Sequence, residues 1–156
     1  MALRLSTALR IALLGGTTDG SLKDMMMDGI IEIFTGAQPA DSDSAETGTK
    51  LVRITEASGA FTSGVAANGL ELASTAVLGT IAKGSAVWSG AGLAIGVAGW
   101  FRWYANVVVT GISTARLSVD GACGTSGAQL ILSSTSIVTG ATITIDTFNI
   151  TLPAYS

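Results

Sequence analysis

The sequence predicts a mainly β protein: a single β-sandwich, jelly-roll-like, preceded by one or two short N-terminal helices. Three observations predict it. From Ile30 onward the apolar pattern moves toward a period of two, the mark of half-buried strands. Short runs rich in Ile, Val, Phe and Thr recur between Gly-rich turns, at the roughly 8 to 12 residue spacing of sandwiches and barrels. The chain has 156 residues, enough for one core that buries roughly two-thirds of the unfolded surface. The expected division is an N-terminal helical arm over 1–29 and a β-sandwich domain over 30–156.

The arm comes first. Residues 1–14 are the best helix candidate, with Ser6 or Thr7 as cap, apolar spacings through Leu9, Ile11, Leu13 and Leu14, and Gly15 and Gly16 as the stop. Such a helix either covers its own core or docks on a neighbour. Arg10 breaks the apolar run, so no secretion signal is expected. Ser21 can cap a second short turn through Met27, ended by Asp28 and Gly29. Its three methionines are flexible apolar filler for a core or an interface.

The strands follow. Ile30–Thr35 and Leu51–Thr55 flank a long polar loop containing Gly36, Pro39, Asp41, Ser42, Asp43, Ser44, Glu46 and Gly48. The loop is expected to be exposed. Further short strands are expected in 70–73, 75–83 and 86–90, and a buried strand in 93–105. Along that strand Trp100, Arg102 and Tyr104 share one face, and Phe101 and Trp103 the other. It is either a central strand buried on both faces or one lying between the core and a contact surface. Two strands are expected around Gly111, then a turn over Asp120–Gly127. Near the end, Ile143 and Ile145 alternate with Thr142 and Thr144, and then the phase flips to Phe148, Ile150 and Leu152. A phase flip requires an inserted residue or a change of side, so a bulge or bend is predicted at Asp146–Thr147. Pro153 ends the strand.

One stretch carries a resemblance. A short strand, then TGAQPADSDSAETGT (35–49), then LVRIT (51–55) is similar to a group of small virion proteins of tailed bacteriophages. The opening MALRLSTALRIALLGG, the segment AVWSGAGLAIGVAGWFRWY and the closing SGAQLILSSTSIVTGATITIDTFNITLP extend the similarity over most of the chain. The resemblance implies a structural role in the particle.

Composition points the same way. Only 12% of residues are charged, although 48% are hydrophobic; about 25% charged is usual. So weakly charged a surface suits packing against other protein, although it also suits any Gly- and Ala-rich β protein. Net charge is −3, and the cations Arg4, Arg10, Lys23, Lys50, Arg53, Lys83, Arg102 and Arg116 are scattered. Nucleic-acid binding needs clustered cations and is not expected. Residues 84–101 form an 18-residue run without charge, the threshold length for a membrane span. Five of them are glycine, and the run continues into the β-like FRWYANVVV, so a span is not expected either.

The catalytic inventory is poor. There is no His, which removes Ser-His-Asp, Cys-His and His-metal arrangements. No spacing favours a glycosidase pair among the acids, which include Glu32, Glu56, Glu71 and Asp120. Asp41, Asp43 and Glu46 fail the EF-hand pattern, since Ala45 and Glu46 stand where it needs an oxygen ligand and a Gly. No phosphate-binding glycine motif is present. The lone Cys123 reads as a small apolar residue in a turn. No catalytic, cofactor-binding or metal-binding residue is expected, and no cofactor.

The expected function is that of a non-enzymatic virion protein. Its first form is a capsid decoration (cement) protein that bridges subunits of the major capsid protein, as a homo-oligomer (dimer or trimer). Its second is a tail or head-to-tail joining component. A third reading, a glycan-binding module of a fibre, rests on exposed aromatics, with Trp88 and Trp103 as the residues to test. The Pro39–Gly48 loop and the N-terminal segment are expected to contact other subunits.

Overall fold

The computed structural model describes residues 3–16 and 20–152. The fold is mainly β and sandwich-like, with two short helices near the N-terminus. The strands are β1 (Arg4–Leu5), β2 (Ile30–Thr35), β3 (Lys50–Glu56), β4 (Thr80–Ala82), β5 (Trp88–Ala91), β6 (Gly96–Tyr104), β7 (Ser118–Gly124), β8 (Leu130–Ile131), β9 (Ser136–Ile137), β10 (Thr142–Ile145) and β11 (Asn149–Thr151). The helices are α1 (Thr7–Ile11) and α2 (Leu22–Met26).

Among the described residues nine strands form one sheet, ordered β1-β7-β6-β2-β3-β5-β10, with β8 added to β7 and β9 to β6. All the pairings are antiparallel except β7 with β8. The strands β4 and β11 make a separate two-stranded ribbon.

The central strands β2 and β6 are buried on both faces. Ile31 lies opposite Trp103, which lies opposite Val119, and Ile33 lies opposite Phe101. This face carries the apolar core. Phe148 projects onto it from the chain between β10 and β11, with ring centroids 5.5 Å from Trp103, 5.8 Å from Phe101 and 5.9 Å from Trp88. Ile150, Leu70 and Leu72 complete the covering layer. Fully burying such side chains stabilises by about 1.5–3 kcal/mol each.

Both helix starts follow the expected chemistry. The Ser6 side chain accepts from Leu9 N, and the Ser21 side chain from Asp24 N. Gly15 has φ +95°, where the first helical segment ends. Met25 and Met26 are core residues, whereas Met27 is exposed. The predicted bend at Asp146–Thr147 is a change of sheet: β10 pairs with β5, and β11 with β4. Ile145, Phe148 and Ile150 are buried on either side of it. Pro153, expected to end this strand, lies outside the described residues.

The structure corrects several local expectations. Arg4 and Leu5 are strand, not helix, because they pair with Asp120 and Val119 at the edge of the sheet. Leu70 and Leu72 make only isolated bridges, to Gly29 and Lys83. The turn placed at Asp120–Gly127 begins later, since pairing with β6 and β8 extends β7 to Gly124. No strand forms in 105–117. There the backbone bonds to side chains instead: Val109 O and Gly111 O accept from Arg116, and Gly111 N donates to Glu46.

Candidate functional site: a charge ladder beneath the polar loop

The second face of the sheet is unlike the first. Cross-strand register aligns Arg4, Asp120, Arg102, Glu32 and Arg53 in one row over β1, β7, β6, β2 and β3. The signs alternate along the row. Opposite charges directly across antiparallel strands stabilise pairing by ~0.2–1 kcal/mol when exposed. Here Asp120, Arg102 and Glu32 are buried, which raises the stakes of each contact.

Arg102 is the centre. Its Nε donates to Asp120 Oδ1 at 2.7 Å and its Nη2 to Asp120 Oδ2 at 2.6 Å, a two-point grip that suits the planar guanidinium. Its Nη1 donates to Glu46 Oε1 and Ser44 O, both at 2.9 Å. The guanidinium also lies 5.4 Å from the centroid of Trp100 and 6.0 Å from that of Tyr104, within cation–π range. Farther along the row, Glu32 Oε1 accepts from Lys50 Nζ, Arg53 Nε and Arg53 Nη2 at 2.8–2.9 Å.

The polar loop, residues 36–49, folds over this row. Gly99 lets it start close to β6: a Cβ there would meet Gly36 O at 2.0 Å. Glu46 turns inward. It accepts from the Tyr104 hydroxyl at 2.6 Å, Gly111 N at 2.9 Å and Arg116 Nη1 at 3.3 Å, besides Arg102. Trp100 Nε1 donates to Thr47 O at 3.2 Å, and the Trp100 ring stacks on Phe34.

Arg116 fastens the loop a second time. It donates to Ser42 O and Ser44 O on one side, and to Val109 O and Gly111 O on the other. The N-terminal segment is bound into the same assembly. Ser6 Oγ donates to Arg116 O at 2.6 Å and accepts from Ser118 N at 3.1 Å. Asp43 accepts from Thr7 N at 2.9 Å and from Thr7 Oγ1 at 2.5 Å, which also places a carboxylate at the start of α1. Arg4 donates to Pro39 O.

Electrostatics follow from this packing. Burial by itself would push the Glu46 carboxyl up, but the bonds from Tyr104 and Gly111 N and the charge of Arg102 hold it below the usual value. Burial would favour the neutral form of Arg102, but the hydrogen bonds and charge of Asp120 outweigh it and raise the guanidinium above its usual value. Burial raises Asp120, against the pull of Arg102. Burial and the bond to Glu46 raise Tyr104. Cys123 lies in β7, not in a turn, and burial pushes its thiol up, so it stays a protonated, weakly reactive group.

The loop is therefore a lid on its own sheet rather than a free solvated loop. Ser42, Gln38 and Pro39 are buried. Of the expected acidic trio only Asp41 stays exposed, held by Ser44, while Asp43 and Glu46 bind residues of their own chain. Asp120 and Arg102 have no solvent-accessible surface, so this pair holds the fold and meets no substrate. No group of three or more His, Cys, Asp or Glu side chains that could hold a metal is found among the described residues. No described helix is long and apolar enough to cross a membrane.

The aromatics expected to meet a sugar are inside. Trp88, Trp100 and Trp103 all have 0% exposure. In the sequence Arg102 stands beside the aromatics, and its partners Asp120 and Glu46 are not apparent. One signal was available: Arg102 is the single charge in GWFRWY, and a buried Arg must be paired.

Comparisons with protein-family models, with curated proteins and with solved structures give no match to this chain.

Proposed function

We propose that the chain is a non-enzymatic structural protein of a tailed-bacteriophage virion, most simply a capsid decoration protein bound to the major capsid protein as a homo-oligomer. The sequence resemblance supplies the particle. The observation that carries the structural role is a locked domain with an apolar, weakly charged exterior. The ladder and lid use up much of the polar chemistry internally. Outside, Leu93, Ile95, Val97 and Val138 are 54–75% exposed around the β5–β6 connection and β9, and Leu78 is 98% exposed at the Val77–Thr80 turn. Exposed apolar groups in neighbouring positions mark contact with other protein. A protein that binds only the assembled shell stabilises it by mass action.

A tail or head-to-tail joining part is the second reading, since the same exterior suits a ring. The glycan reading loses its support with the burial of the three tryptophans. Quantitative mass spectrometry of purified particles against the major capsid protein separates the first two. A ratio near one, or a simple fraction of it, fits decoration. Tens of copies per particle fit the tail or joint, and absence from particles overturns the virion reading.

A further inference from the structure

The two ends of the large sheet are finished differently. At one end the outer side of β7 is occupied: β1 pairs at Val119 and Asp120, and β8 at Cys123 and Gly124. At the other end β10 is the last strand, and β5 is its strand partner. Among the described residues, no backbone group outside β5 bonds to Thr142–Ile145. Thr142 and Thr144 are exposed and Ile143 is half-buried.

Exposed edges present a row of unpaired N–H and C=O groups, and proteins ordinarily blunt them with charge, proline, a bulge or a covering segment. Among the described residues this edge has none of those devices. Residues 138–145 read VTGATITI, with no charge and no proline. The pairing of β10 with β5 runs without a register shift. Around it Val87, Leu93 and Val138 are 54–57% exposed.

We propose that the free edge of β10 seats a second copy of this chain, paired antiparallel about a two-fold axis through Ile143. That axis stands normal to the sheet, so both copies keep their cores on the same side. It sets Ile143 opposite Ile143, Thr142 opposite the partner copy's Thr144, and Ala141 opposite Ile145. Each position thus meets its own kind, and threonine pairs across strands are favourable contacts. Charge fits as well. Asp146 falls opposite Gly140, and the two Asp146 residues stand ~20 Å apart at ~3.4 Å per residue, well beyond a Debye length of ~8 Å. An isologous contact closes on itself, giving a dimer and not a fibre. The inference rests on the strand edge and holds whether or not the chain belongs to a phage particle.

The experiment is sedimentation equilibrium of the full chain over a wide concentration range. The expected result is a reversible dimer. The double variant Thr142→Lys/Thr144→Lys, altered only at exposed side chains, is expected to be monomeric throughout, with an unchanged circular dichroism spectrum and the unfolding midpoint of the dilute, monomeric wild type. Register is read separately in a Cys123→Ser background. Mixing Thr142→Cys with Thr144→Cys chains and oxidising mildly is expected to yield the mixed disulfide dimer well above either homodimer, because directly opposite residues lie within bridging distance. A monomer at the highest concentration, a trimer, or a dimer unmoved by the lysines would overturn the proposal. Cross-linking without preference for the mixed pair would overturn the register.

Discussion

Both faces of β6 are sealed from water, but by different chemistry. On one, Phe101 and Trp103 meet Phe148 and Trp88 through tilted and edge-to-face ring contacts. On the other, Arg102 sits between two carboxylates under a lid of loop. The apolar face tolerates imperfection: the indole N–H groups of Trp88 and Trp103 are buried without a hydrogen-bond partner. On the charged face the neutral amide of Gln38, in the lid, is also buried without a partner, but among the described residues no buried charged atom is left unpaired. Non-directional packing degrades gradually, whereas a buried charge is either satisfied or costs several kcal/mol.

Matched truncations test that contrast most strongly. Phe148→Ala and Arg102→Ala should each cost about 3–5 kcal/mol in urea unfolding, the first through a cavity and the second through the stranded charges of Asp120 and Glu46. Compensation distinguishes them. Arg102→Met combined with Asp120→Leu removes both charges and should recover most of the loss, since apolar replacement of a buried pair is often neutral or stabilising. Failure to recover would mean that Glu46 and the lid, rather than the pair itself, set the energy of this face.

The lid gives the next effect. Glu46→Gln keeps the shape but removes the charge that receives Tyr104, Arg102 and Arg116, and should cost about 1–3 kcal/mol. It should also change the pH dependence. The folded Glu46 carboxyl lies below its ordinary 4.5, so its contribution is fully present above that pH and is lost as pH falls through the lowered value. Asp120 acts oppositely: its raised value means that folding binds its proton more tightly, and stability declines as pH rises from 3.8 through that value. The Glu46 part of the slope, a fall in denaturant midpoint on acidification below 4.5 that opposes the Asp120 part, should therefore be present in the wild type and absent from Glu46→Gln. The Phe148→Ala variant should keep it.

The same contrast explains what was legible in the sequence. Ile30–Thr35, the strand ending in WFRWY and the flip before Phe148 could be read because apolar periodicity is a local signal. The charged face could not be read. Its partners come from segments far apart in the chain, with Glu46 and Arg102 56 residues apart and Ser42 and Arg116 74 apart. Polarity in residues 36–49 looked like solvation because sequence alone does not say which polar residues face inward. Residues 107–119 looked like two strands for the converse reason, although only 118–119 are strand: valines suggested β pairing, while Arg116 and Glu46 claimed the backbone groups. The short pair Arg4–Leu5 was lost to a stronger helix pattern next to it, since edge pairing with β7 is a tertiary effect.

The smallest predicted effect separates the two faces through two serines of the same local type. Ser6 and Ser21 both cap short helices, and helix propensity alone would price their loss equally, at about 1 kcal/mol each. Their surroundings differ. Ser21 is exposed, and among the described residues its side chain bonds Asp24 alone, within the same turn. Ser6 has 0% exposure and joins Arg116 O and Ser118 N, behind the lid. Ser21→Ala should cost about 1 kcal/mol or less. Ser6→Ala should cost about 2 kcal/mol or more, because it also leaves buried backbone groups without a partner. Amide exchange locates the difference. Ser6→Ala should speed exchange at Thr7, Ser118 and Gly111 together, since the N-terminal segment, β7 and the Arg116 loop share one set of bonds. Equal costs for the two serines, with exchange confined to α1, would reduce Ser6 to an ordinary cap and detach the N-terminal segment from the charged face.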